Sequence, residues 1–228
     1  AFLAALAPRV RRPILVITSS LEKAESIVDG MEFFGREALL FPGYETLPFE
    51  VVEPALHITA ARWRVLARLV AGGEGEPPVI IAPVDALAFR LPPAERLREL
   101  IVDLQWGEPI DVEALALQLI TMGYRREALV ESPGEFAVRG SIIDIYPPDA
   151  EWPWRLDLFG EEIEQVRRFD PSTQRSLALD QEIERIRLLP AVSHAPALDV
   201  LRHGGQLVPM FDLLAEQTLI VRDGTERI

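Results

Sequence analysis

The sequence predicts an α/β chain built in two parts, and three observations lead there. Short apolar, β-branched runs alternate with amphipathic helical stretches over the first hundred residues, which implies a doubly wound parallel sheet. Near residue 100 the pattern changes to one helix followed by closely spaced strands, an α+β unit with a meander. Beyond Pro190, residues 213–221 return to the α/β pattern. With 228 residues the chain has room for two compact units, or for one that carries a large insertion.

Each element follows from local signals. The apolar start at residues 1–7 precedes its positive charges, the reverse of a secretory signal, and reads as the tail of a helix. Residues 13–18 form a buried parallel strand. Ser19 followed by Glu22 is a capping box, so a helix is expected from there to about Phe34. Residues 38–41 make a second strand, stopped by Pro42-Gly43. Apolar spacing makes 58–71 helical, and Gly72-Gly73 ends it. Residues 79–82 are a third buried strand. In the second part, 101–106 is a strand, Asp111 caps a helix through about Met122, and Gly123 closes it. Strands are expected at 128–130, 135–146, 154–159 and 162–169, with turns at Pro147-Pro148 and Gly160. Segments 72–78 and 192–206 read as flexible connections.

Composition excludes several classes of chemistry. Without cysteine there is no disulfide, thiol nucleophile or thiolate metal site. His57, His194 and His203 share no ligand spacing, so no metal is expected. A net charge of −13 argues against a main nucleic-acid grip, which needs a basic face. Lys23 is the single lysine among 23 basic residues. No apolar run is long enough to span a bilayer, and the cytoplasm is the expected compartment.

Catalytic motifs are missing as well. A phosphate loop needs glycines that let backbone N–H groups approach the phosphates, followed by Lys and Ser/Thr. The first strand-to-helix junction reads Ile17-Thr18-Ser19-Ser20-Leu21-Glu22 and holds no glycine. Ser141 and Ser172 have no histidine in a recognisable motif. The acid pairs Glu161-Glu162 and Asp149/Glu151 fall in turns, where solvated charge is the ordinary reading. No catalytic residue and no cofactor are therefore expected.

One strand invites a different reading. Alternation puts Trp154, Leu156 and Leu158 on an apolar face and Arg155, Asp157 and Phe159 on the other. An arginine beside an exposed aromatic at a hairpin has the composition of an interface hot spot. Arg139, in the preceding strand, could share that face. The plainer alternative is that Arg139 and Arg155 pair with Asp157 or Asp144 while Phe159 packs under a loop. Residues 44–49 are a second aromatic-rich candidate surface, with the alternative that Leu47-Pro48-Phe49 anchors the loop onto the sheet.

Three segments carry a family resemblance. They are Phe41-Pro42-Gly43-Tyr44-Glu45-Thr46-Leu47-Pro48-Phe49-Glu50; the run from Gly134-Glu135-Phe136 through Arg139-Gly140-Ser141-Ile142-Ile143-Asp144-Ile145-Tyr146-Pro147; and Arg155-Leu156-Asp157-Leu158-Phe159-Gly160-Glu161-Glu162-Ile163-Glu164, continuing to Thr173-Gln174-Arg175-Ser176. Over residues 13–191 the chain resembles the N-terminal, UvrB-like region of bacterial transcription-repair coupling factors (Mfd). The last two segments also resemble the excision-repair helicase UvrB, but the Thr-Gln-Arg-Ser ending and the Glu-Thr-Leu-Pro stretch favour the former. After residue 191 the match is shorter than the family's second lobe.

The resemblance implies degenerate RecA-like lobes at 1–100 (lobe 1A) and 190–228 (a partial lobe 1B). Between them, at 101–189, it implies an inserted α+β domain 2. It also implies a non-catalytic role: docking UvrA, to recruit nucleotide excision repair to stalled RNA polymerase, with Arg139, Arg155 and Phe159 at the UvrA-contacting positions. ATP, magnesium, RNA polymerase and double-stranded DNA are expected only at other domains of such proteins. The competing reading is a UvrB-like, ATP-dependent DNA-damage-binding helicase fragment, which would need a phosphate loop.

Overall fold

A computed structural model of the chain describes residues 1–45, 53–72, 76–177, 183–193 and 195–223. It is a mixed α/β structure that divides into two compact units. One comprises Ala1–Pro54, Ala61–Arg98 and His194–Ile228; the other comprises Ala55–Ala60 and Glu99–Ser193.

The first unit is organised on a four-stranded, wholly parallel sheet. Its strands are β1 (Ile14–Thr18), β2 (Leu39–Leu40), β3 (Val79–Pro83) and β11 (Leu219–Arg222), in the order β11-β1-β3-β2. Parallel neighbours need crossovers, and helices α2 (Leu21–Phe33) and α3 (Leu56–Val70) lie between successive strands in the chain. Ile14, Val16, Val79 and Ile81 form a core with Ala4 of α1 (Phe2–Val10) and Ala24 and Met31 of α2. Leu15 and Ile80, pointing the other way, are fully buried too, so both faces are closed at the central strands β1 and β3, while Ile220 on the edge strand is 51% exposed. Short helices α4 (Ala94–Glu99) and α6 (Ala195–Arg202) complete the helical set here, and Arg96 pairs with Asp199 at 2.7 Å.

Two sequence expectations shift in this unit. The α2 cap is Ser20, whose hydroxyl accepts from the Lys23 N–H at 3.4 Å; Ser19 and Glu22 form no capping box. The neighbouring hydroxyl, Thr18 Oγ1, donates to the Ser20 carbonyl, and this local tie moves the cap by one residue. Segment 192–206, expected to be a flexible connection, contains helix α6. The helix spans only eight residues, Ala195–Arg202, too short a run for its apolar spacing to stand out from a loop. Residues 46–49 of the aromatic-rich loop and 73–75 of the other connection lie outside the described residues.

A buried cation closes the exit of β2. Arg62 is 1% exposed, lies 4.0 Å from the ring centroids of both Phe41 and Tyr44, and donates from Nη1 to the Pro42 carbonyl at 2.6 Å. Burial lowers its pKa from the ordinary arginine value. Tyr44 also meets Phe89 edge-on at 4.7 Å, so this end of the candidate surface loop faces inward.

The second unit combines three pieces. Strands β4 (Val102–Gln105) and β10 (Arg185–Leu188) make a two-stranded antiparallel sheet. Asp111 caps α5 (Val112–Thr121), accepting from the N–H groups of Glu113 and Ala114 at 3.0 Å. A five-stranded sheet follows, in the order β5-β6-β7-β8-β9: β5 (Arg125–Arg126), β6 (Glu135–Arg139), β7 (Ile142–Tyr146), β8 (Trp154–Phe159) and β9 (Glu162–Arg168). The expected strand at 128–130 is absent: the short strand is β5, three residues earlier, and 128–130 is irregular. Val130 is nonetheless fully buried against Ala137 and Phe169, so an apolar run that reads as a strand is here a loop plug.

Candidate functional site

The five-stranded sheet has two unlike faces. Phe136, Ile143, Ile145, Leu156, Leu158, Ile163 and Val166 point to one side and are all buried. Trp154 stands at the margin of that side, with the Arg168 guanidinium 5.0 Å from its ring centroid. The side chains at alternate positions form the second face, and the pairing register arranges them in rows. Arg139 sits opposite Ile142, and Ile142 opposite Asp157. One step along, Ala137 faces Asp144, Asp144 faces Arg155, and Arg155 faces Arg167.

This second face is half covered. Its closed half holds Val130, Ala137 and Phe169, with Tyr146 against them. Here Asp144 is fully buried and Arg155 only 8% exposed. Arg155 donates from Nε to Asp144 Oδ1 at 2.7 Å and from Nη2 to Oδ2 at 2.9 Å; its Nη1 donates to the Gln174 carbonyl at 3.1 Å. Its guanidinium carbon lies 4.4 Å from the Phe169 ring centroid. Hydrogen bonding to Asp144 raises the Arg155 pKa, against the opposing effect of burial.

The open half presents Arg139, whose Nη2 also pairs with Asp144 Oδ2, and Phe159, which is 78% exposed at the end of β8. Asp157 and Arg167 form a further pair, with Nε to Oδ2 at 2.9 Å. Between Asp157 and Leu158 the register with β9 slips by one residue, a bulge that adds local twist just before Phe159.

The expected alternation is present, but the expectation that Arg155 stands exposed beside Phe159 is corrected. A carboxylate on the central strand draws that guanidinium inward, as the plainer alternative anticipated for Asp144. Arg139 and Arg155 converge on one carboxylate, while Phe159 remains at the surface instead of packing under a loop. Asp144 enters the sequence reading only as one of two possible partners for the arginines, and Arg167 and Gln174 have no assigned role there. Asp144 had a readable signal, an acid within the apolar run Ile142-Ile143-Asp144-Ile145. Gln174 lies in the Thr173-Gln174-Arg175-Ser176 motif, which gives it no contact, and Arg167 has no signal, because their neighbours are set by register and loop closure.

Among the described residues no group of three or more His, Cys, Asp or Glu side chains could hold a metal ion. Ser172 donates to its neighbour Asp170 at 2.7 Å within a turn. No described helix is long and apolar enough to cross a membrane.

Comparisons with known proteins are consistent in direction. The family model of the UvrB interaction domain matches residues 102–194. The transcription-repair-coupling factor of Bacillus subtilis (strain 168) is 37% identical over 178 residues, covering 77% of this chain and 15% of that protein. That of Haemophilus influenzae is 36% identical over 160 residues, covering 70% of the chain and 13% of that protein. That of Escherichia coli (strain K12) is 33% identical over 189 residues, covering 82% and 16%. The chain thus spans only 13% to 16% of the length of these three relatives.

Proposed function

The chain belongs to the transcription-repair-coupling factor family and carries its UvrB interaction domain, and on that premise we propose that it is a non-catalytic docking module for UvrA. In this reading residues 101–189 are the docking domain. Residues 1–100 and 190–228 are degenerate RecA-like lobes that serve as scaffold and need no nucleotide. Docking recruits nucleotide excision repair to stalled RNA polymerase in the cytoplasm. Polymerase and double-stranded DNA are engaged through other parts of such a protein, as are ATP and magnesium.

One observation carries the proposal: the open half of the second sheet face pairs a half-exposed guanidinium, Arg139, with a projecting aromatic ring, Phe159. Arg139 is held by a carboxylate that Arg155 grips from beneath, so it is preorganised, which lowers the ordering cost of binding. An arginine fork suits a carboxylate on the partner, and the phenyl ring suits an apolar pocket. Arg155 contributes by fixing this arrangement.

The test is direct. The chain mixed with UvrA should co-elute on gel filtration, and Arg139→Glu should abolish the complex while leaving thermal unfolding cooperative. Undiminished affinity in Arg139→Glu would sink the assignment. Titration with a fluorescent ATP analogue addresses the helicase alternative, and saturable binding would favour it.

A further inference from the structure

Gln174 lies in the Thr173-Gln174-Arg175-Ser176 segment, which the docking reading leaves without a role. Its backbone is left-handed, φ 60°; among the described residues Arg11, φ 51°, is the one other non-glycine with positive φ. Such a conformation is costly for a residue with a side chain, and Gln lacks the local hydrogen bonds that let Asn or Asp adopt it. It persists where surrounding contacts over-determine it.

Those contacts are all present. Gln174 Nε2 donates to the Val130 carbonyl at 2.9 Å and to the Pro171 carbonyl at 2.8 Å. Its own N–H donates to the Asp170 carbonyl at 2.7 Å, and the Asp170 N–H donates to the Arg175 carbonyl at 2.9 Å. The turn is thereby closed on itself and tied to the loop plug at Val130. Gln174 Oε1 is buried without a partner. The amide is therefore oriented for its two donors, since the flipped amide would set an oxygen against two carbonyls.

The product of this arrangement is one carbonyl in one place. It accepts from Arg155 Nη1, and with Nε and Nη2 already on Asp144 it leaves Arg155 no free rotation. Asp144 Oδ2 in turn holds Arg139. We propose that Gln174 is a positioning residue of the docking face: its left-handed backbone and doubly donating amide fix Arg155, and through Asp144 they fix the exposed Arg139. This inference rests on the docking reading above.

The experiment compares Gln174→Glu and Gln174→Gly with Gly123→Ala, a destabilising change in the same unit outside this chain of contacts. Gln174→Glu keeps the shape and removes the donors. Gln174→Gly keeps the carbonyl and relieves the backbone. Three quantities are read: UvrA affinity by calorimetry, the Arg155 Nε–H resonance by nitrogen-proton spectroscopy, and the melting temperature. Both Gln174 variants should weaken UvrA binding roughly tenfold, as loss of buried hydrogen bonds implies. Both should shift the Arg155 resonance and speed its exchange with water. Gly123→Ala should leave affinity and resonance unchanged. Wild-type affinity together with an unaltered Arg155 resonance in the Gln174 variants overturns the inference, as does an equal loss of binding in Gly123→Ala. If Arg139→Glu binds as tightly as wild type, the docking reading fails instead, and the Arg155 resonance alone decides whether Gln174 positions it.

Discussion

Arg155 grips the fully buried Asp144 with two hydrogen bonds, Nε to Oδ1 at 2.7 Å and Nη2 to Oδ2 at 2.9 Å, across the β7–β8 register pair. Removing one partner of a buried pair strands the other charge, at a cost of about 3–5 kcal/mol. Asp144→Ala should destabilise the second unit by that amount in urea unfolding. Asp144→Asn, which keeps an acceptor, should cost about half as much. Equal stability of Asp144→Ala and wild type would show that the pair contributes nothing to the fold.

Glu135 gives the chain a pH-dependent tie. Burial alone would raise its pKa, but the N–H groups of Glu131 and Ser132, at 3.0 and 2.9 Å, and Arg125, at 3.1 Å, outweigh this and lower it. A lowered carboxyl pKa contributes stability above the unfolded value, and that contribution disappears as pH falls through the folded value. Glu135→Gln should therefore be less stable than wild type at neutral pH, by ~1–3 kcal/mol. The gap should narrow on acidification below the ordinary glutamate range. A gap that stays constant from pH 7 to pH 3 in denaturant titrations would refute this.

Phe159 should separate binding from folding. It is 78% exposed, so Phe159→Ala should leave stability within about 0.5 kcal/mol of wild type. Affinity for UvrA should fall by about 2 kcal/mol or more if the ring is a hot spot. Calorimetry beside a melting curve checks both halves, and a fall in melting temperature without a change in affinity would count against the role.

Two glycines with the same backbone sign should respond differently to alanine. A Cβ on Gly123, φ 86°, would meet Val192 Cγ1 at 2.3 Å, whereas at Gly160, φ 63°, nothing lies within 4 Å. Gly160→Ala should cost only the left-handed strain, about 1–2 kcal/mol. Gly123→Ala adds overpacking, for about 2–5 kcal/mol in total. Thermal unfolding that ranks Gly160→Ala as the worse change would contradict this.

Much of the fold was legible because its signals are local. The apolar runs at β1 and β3 read as buried parallel strands, and Asp111 announced α5 by its own side chain. Some misreadings are local: Ser20 and not Ser19 caps α2, and the turn at Gly140, φ 60°, splits the expected 135–146 strand into β6 and β7; others arise where tertiary contact overrides a local cue. Val130 is apolar because it plugs a sheet face, and α6 spans only eight residues, too few for its apolar spacing to stand out from a loop. At the candidate site, alternation along β8 correctly separated Leu156 from Arg155, but alternation does not report which side is covered.

Sequence by itself determined the repertoire: parallel strands, a capped helix, a meander, no thiol, and an Arg/Phe hairpin on a sheet face. Those properties depend on neighbours within a few residues, where backbone geometry and side-chain type suffice. Tertiary structure alone decided that Asp144 captures both arginines, that Arg155 is buried while Phe159 projects, and that Gln174 closes over them. These pairings join residues 5 to 19 positions apart in the chain, through strand register and loop closure, and the distances that rank the competing charges exist only in the folded state.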